Sequence, residues 1–185
     1  LQGLRRYAEA AEFHGRSAAL RPEYPEAWFH RGRARAAMED HASALRDYQQ
    51  AVGLRPDWAD AYNEIGMVQV KLQEFEKAMR AYGKAIELDG GFYQAYYNRA
   101  NLLSLLGRYE EATEDFTKAV RLRPDFADAY WNRGLAFLAK GDYRRGWEDY
   151  AWRKQAAMNL PTYPHTLTGP EWQGESLADR RLLVH

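Results

Sequence analysis

His14, His30, His41, His165 and His185 are the side chains of this sequence best suited to proton transfer or metal ligation near neutral pH. No two stand at a ligand spacing such as His-Glu-x-x-His, and no glycine-rich phosphate loop or nucleophile elbow accompanies them. There is no cysteine, hence neither thiolate chemistry nor a disulfide framework. Glu110 and Glu111 read as solvated carboxylates on an outer helix surface. No active site, metal or cofactor is therefore expected in these 185 residues. Another kind of chemistry is better supplied. Asn63, Asn98, Asn101 and Asn132 carry amides that both donate and accept hydrogen bonds. Tyr97 and Trp131 stand beside two of them in the sequence and, with Phe29, offer flat apolar surface. Such groups suit the backbone and side chains of an extended peptide, so binding is the chemistry to be positioned.

The positioning elements follow from an echo. "RPDWADAYNEIG" (Arg55 to Gly66) and "RPDFADAYWNRG" (Arg123 to Gly134) lie 68 residues apart, and half of that interval organises the chain. Pro22, Pro56, Gly90 and Pro124 form one column. Trp28, Tyr62, Tyr96 and Tyr130 form another, as do Gly32, Gly66, Ala100 and Gly134, and Tyr48, Tyr82, Phe116 and Tyr150. Ala44, Ala78, Ala112 and Gly146 keep a small residue in register. Within each unit the apolar positions recur at helical spacing on both sides of a turn, clearest at Gly107 and Gly141-Asp142, so each unit reads as two helices. A helix of about 14 residues is roughly 21 Å long and marginal in water without a partner for its apolar face. The glycines and alanines open holes that the aromatic columns fill.

These columns resemble the tetratricopeptide repeat (TPR) family, whose 34-residue unit carries Trp, Gly, Tyr, Ala, Phe, Ala and Pro at these relative places. The resemblance implies an all-α, right-handed superhelical solenoid of antiparallel helix pairs followed by an irregular C-terminal tail. Four units are expected over 25–157, from Pro25 to Pro56, Ala59 to Gly90, Tyr93 to Pro124, and Ala127 to about Ala157. Residues 1–22 read as the second half of an earlier unit, with Tyr7, Ala10, His14, Ser17, Leu20 and Pro22 in the right columns, so the chain is expected to begin inside a repeat.

In such an array the first helix of each pair lines the concave wall. The side chains pointing away from the second helix, and expected to form a partner-binding groove, are Phe29, His30, Arg33, Asn63, Met67, Tyr97, Asn98, Asn101, Trp131, Asn132 and Leu135. Phe29 and Tyr97 equally suit the seam between repeats. Asn98 and Asn132 share a phase and resemble the asparagine ladder of the TPR arm of O-GlcNAc transferases; His30 and Glu64 interrupt it. The carboxylate clamp of chaperone-binding TPR domains is not matched, because Phe29, Asn63, Tyr97 and Trp131 occupy the column of its first lysine. Arg31, Arg99 and Arg133 stand where a leucine-like residue is usual and are expected to pack their stems while each guanidinium finds a carboxylate or carbonyl between repeats.

The last helix is expected to cap the array, since Arg153, Lys154 and Ala156 replace small or apolar column members. Trp147 and Trp152 on that helix are expected to contact something beyond it. Residues 158–185 are rich in Pro and Gly and read as a linker and the truncated start of a following domain, closing in a strand-like run from Leu182 to Val184. Gly146, Trp147, Glu148, Tyr150, Trp152 and Arg153, with Pro170, Trp172, Gly174, Glu175 and Leu177, resemble the junction of bacterial TPR proteins that carry a glycosyltransferase-like domain. An acceptor-recognition arm of such an enzyme is thus the alternative to a free-standing interaction module. A self-assembly scaffold, in which copies associate as homo-oligomers by repeat stacking, is a third.

Composition narrows the partners. Twenty-six basic and 26 acidic residues cancel, removing the long-range field that sequence-independent nucleic-acid binding requires. No run approaches the roughly 20 apolar residues of a membrane span. A protein or extended peptide is the expected partner, without nucleic acid or membrane insertion, in a cytoplasmic setting.

Overall fold

The computed structural model describes residues 2–157, and every regular element among them is a helix. In chain order these are α1 (Gln2–Leu20), α2 (Pro25–Ala37), α3 (His41–Leu54), α4 (Ala59–Lys71), α5 (Phe75–Leu88), α6 (Tyr93–Leu105), α7 (Tyr109–Leu122), α8 (Ala127–Ala139), α9 (Tyr143–Tyr150) and α10 (Arg153–Ala157). Four helix pairs, α2–α3, α4–α5, α6–α7 and α8–α9, stack in sequence, and α1 packs on α2.

Inside each pair the chain reverses through a residue in the left-handed region. Gly107 and Gly141 adopt it at φ 74° and 86°, and Glu39 and Gln73 adopt it in the equivalent turns at 63° and 60°. Side-chain bearing residues accept that conformation because packing of the two helices dictates the turn. Asp40 and Asp142 cap α3 and α9 by accepting from the Ser43 and Arg145 backbone amides. The first helices open on aromatics instead. Trp58 and Phe126, at the N-caps of α4 and α8, make no side-chain cap and pack on the preceding unit, Trp58 against Phe29 (4.3 Å between ring centroids) and Phe126 against Tyr97 (4.7 Å).

The size alternation works within a unit. A Cβ at Gly32 would lie 2.7 Å from the Tyr48 ring, and one at Gly66 2.5 Å from the Tyr82 ring, so only glycine admits the aromatic. In the third unit Ala100 faces the smaller Phe116. Tyr48 and Phe116 are both fully buried.

The arginines are also held within units rather than between them. Arg31 donates to Asp47 (2.9 and 2.6 Å), Arg99 to Asp115 (2.6 and 2.8 Å) and Arg133 to Asp149 (2.6 and 3.0 Å), each a two-pronged bond joining first helix to second. Arg133 also donates to Thr117 Oγ1 of the preceding unit. In the second unit both columns change together, Ile65 standing for the arginine and Ala81 for the aspartate, and both are buried in the core.

The final pair departs from the expected continuous helix. Gly134 lets the backbone of α9 come close, with a Cβ there only 2.8 Å from the Tyr150 nitrogen. The chain then turns at Ala151 and Trp152 before α10, which packs on α8 and buries Ala156. Trp152, half-buried, lies flat on Tyr130, 4.4 Å away at 9°. Its large apolar ring closes the fourth unit over a column aromatic. Trp147, 60% exposed, remains outside.

Successive first helices touch one another, α2 with α4, α4 with α6 and α6 with α8, whereas the second helices make no comparable contacts. The first helices therefore occupy the inside of the curve.

Candidate functional site

The inner wall is built from four columns of first-helix side chains. Phe29 leads the first but does not reach the groove: only 6% exposed, it is clamped between Trp58 and Tyr48. This corrects its groove assignment, because the aromatic opening the next unit covers it. Asn63, in the same column, is also buried. Tyr97 is half-buried on Phe126 and Phe116, and Trp131 is half-buried with its indole N–H unpartnered among the described residues.

The amides answer to each other across units. Asn98 Nδ2 donates to Asn63 Oδ1 at 2.9 Å, and Asn132 Nδ2 donates both to Asn101 Oδ1 at 2.9 Å and to the Tyr97 hydroxyl at 3.1 Å. Asn63 directs its own Nδ2 at Met67 Sδ, 3.7 Å away. The ladder is thus partly spent on itself. Among the described residues Asn132 donates both of its N–H groups and Asn98 donates one, while the Asn101 amide also bonds the Tyr97 hydroxyl. On the same helices Met67 (44% exposed), Leu105 (66%) and Leu135 (43%) add exposed apolar surface.

Between the third and fourth units the wall opens into a cleft of about 330 Å³. Asn101, Ser104, Asn132, Leu135 and Ala139 line it, with Tyr109 behind, and the Ser104 hydroxyl is buried without a partner among the described residues. Ser104 and Tyr109 lie outside the expected site; the repeat register places Ser104 one position off the inner stripe, and the approach of α8 to α6 brings it to the edge of the cleft.

Toward the first units the wall becomes charged. His30 and Arg33 are exposed, and His30 lies 5.2 Å from His14 of α1. Burial of His14, aided by His30, lowers its pKa. Glu64 accepts from the Tyr48 hydroxyl at 3.3 Å, and burial holds its carboxyl above the usual carboxylate range even though Arg33 draws it down. The folded chain then binds the Glu64 proton more tightly than the unfolded chain, so this group's contribution to stability falls as pH rises from its ordinary value near 4.5 through the raised one. Glu64→Gln keeps the acceptor for Tyr48 and is expected to flatten that slope and raise the urea midpoint at neutral pH; parallel midpoint-versus-pH curves for the two proteins would assign the slope elsewhere.

Comparison with known proteins agrees with this construction. Four TPR-type repeat models match in succession: tetratricopeptide repeats at 25–57, 59–92 and 81–114, and a TPR repeat at 101–141. The chain is a TPR protein. No curated protein sequence matches it. Among solved structures, MamA is 22% identical with a TM-score of 0.74, covering 82% of this chain and 91% of that one. MamA residues 41-end from Desulfovibrio magneticus RS-1 gives 21% and 0.74, covering 87% and 92%. YrrB, "a TPR protein with an unusual peptide-binding site", gives 21% and 0.68, covering 86% and 82%. These likenesses carry the fold. As a TPR array the chain is a protein-interaction module. Of the junction motif, Gly146, Trp147, Glu148 and Tyr150 belong to α9, Trp152 to the turn and Arg153 to α10, while Pro170, Trp172, Gly174, Glu175 and Leu177, with the whole of 158–185, lie outside the described residues.

Proposed function

We propose that the TPR array binds an extended protein segment along its inner wall, with one apolar side chain of that segment seated in the cleft between the third and fourth units. The observation that carries this reading is the cleft itself: an apolar hollow flanked by Asn101 and Asn132, whose amides are fixed by their mutual hydrogen bond. Preorganised polar groups beside an apolar hollow bind without a large ordering cost. The peptide-binding site of YrrB, a protein of the same fold, is consistent with it.

The test is a random peptide library selected on the whole chain, followed by affinity measurements on Leu135→Glu and Asn132→Ala. Leu135 is exposed, so its replacement leaves the fold intact. Selected peptides are expected to lose about tenfold or more in affinity for each variant. Peptides that bind both variants as well as the original would remove the inner wall from the interaction.

The self-assembly reading has one observation of its own. On α1, Phe13 and Leu20 are 69% and 83% exposed and lie within about 20° of each other around the helix, an uncovered apolar patch. If copies stack through it, sedimentation would show concentration-dependent dimers that Phe13→Glu abolishes.

A further inference from the structure

On the outer side, where the second helices splay, a cleft of about 360 Å³ opens above α4 between α3 and α5. Its origin is visible in the repeats. In the first unit Arg31, bound to Asp47, stacks over the column aromatic Trp28 at 4.6 Å. In the third, Arg99 with Asp115 stands beside Tyr96. In the fourth, Arg133 with Asp149 flanks Tyr130, whose face is covered by Trp152. The second unit has Ile65 and Ala81 in place of the ion pair, and no ring or guanidinium is stacked on Tyr62 among the described residues. What the chain fills with its own groups three times, it leaves open once.

The open place has definite chemistry. Val52, Tyr62 and Ile65 make an apolar floor. Gln69, 7% exposed, lines it with Oε1 buried and unpartnered among the described residues, an acceptor that lacks a donor. Three cations, Lys77, Arg80 and Lys84, stand on the rim. Lys77 already pairs with Glu74 at the N-cap of α5 and Lys84 with Glu87 on α5, both at 2.8 Å, whereas exposed Arg80 forms no ion pair among the described residues. A flat ring with an N–H, next to a carboxylate, matches floor, acceptor and rim together. Trp152 on Tyr130 shows that an indole fits over this column, and Trp152 occupies the column of Lys84.

We infer that the α3–α4–α5 cleft is a second binding site, distinct from the inner wall, that takes a tryptophan flanked by acidic residues from a partner protein. The indole lies on Tyr62 and donates its N–H toward Gln69 Oε1, and a neighbouring carboxylate pairs with Arg80.

The probe is N-acetyl-Glu-Trp-Glu-amide, titrated into the isotope-labelled whole chain and followed by amide NMR shifts, with N-acetyl-Lys-Trp-Lys-amide as the charge control. Saturable shifts confined to the cleft are expected, about tenfold weaker for the basic peptide. The double variant Ile65→Arg/Ala81→Asp, which restores the filling of the other three units, is expected to abolish binding. Arg80→Glu, which places at the rim the residue found at Glu114 and Glu148, is expected to weaken it about tenfold and has no bearing on folding. Absence of saturable shifts, equal affinity for both peptides, or undiminished binding to Arg80→Glu or to a folded double variant overturns the inference. Shifts confined to the inner wall overturn it too, while leaving the inner-wall reading standing.

Discussion

Asp115→Ala is expected to destabilise the chain by about 3 kcal/mol, whereas Arg99→Ile/Asp115→Ala is expected to fall within about 1 kcal/mol of the original protein. The single change strands a guanidinium whose side chain is only 25% exposed and whose hydrogen bonds all ran to that carboxylate. Desolvation of an unpaired charge is far costlier than the net worth of the pair, because the pair has already offset most of its own dehydration by mutual attraction. The double change reproduces what the second unit does with Ile65 and Ala81, both buried in a continuous apolar cluster. One chain thus contains both solutions to the same packing problem. Urea denaturation of the four members of the cycle measures the coupling, expected at about 2 kcal/mol or more; additive effects would mean that Arg99 finds adequate solvation without its partner and that the ion pairs are incidental to the fold.

That paired replacement also shows where sequence reading stops short. The 34-residue period, the two helices per unit and the small-against-aromatic columns are legible because each is a repeated requirement of the same contact, written four times. The arginine column is legible too, yet its partners turn out to be aspartates 16 residues on within the unit, not the groups between repeats that its position suggests. The joint change at Ile65 and Ala81 is a readable signal of that contact. Phe29 cannot be separated from the groove by pattern. Both the seam and the inner wall accept an aromatic at that phase, and the outcome turns on how far Trp58 of the next unit reaches back. The cross-unit bonds of Asn98 to Asn63 and of Asn132 to Asn101 depend on superhelical pitch, which a linear period does not contain. Trp152 escapes its expected place for a related reason: the column pattern continues the helix, and the close backbone approach at Gly134 ends it early.

Phe116→Ala is expected to cost about 3–5 kcal/mol. Phe116 has no exposed surface, fits against the helix that carries Ala100, and supports the Tyr97 ring at 5.9 Å. Removal leaves a cavity that Ala100, itself small, cannot fill. The damage is expected to spread by neighbour contact rather than globally, since each unit of a solenoid leans on the next. Hydrogen exchange should therefore show α6 to α9 losing protection while α2 to α5 retain more of theirs. Function follows from the same chain of contacts. Tyr97 accepts from Asn132, and Asn132 holds Asn101 at the mouth of the inner cleft, so loosening Tyr97 unpins the amides proposed to meet a bound backbone. Selected peptides are expected to weaken against Phe116→Ala even under conditions where the array stays folded. Phe13→Ala, at a ring 69% exposed on α1, serves as the contrast and should change stability by no more than about 0.5 kcal/mol. Equal losses for the two would show that the buried aromatic column does not organise the array.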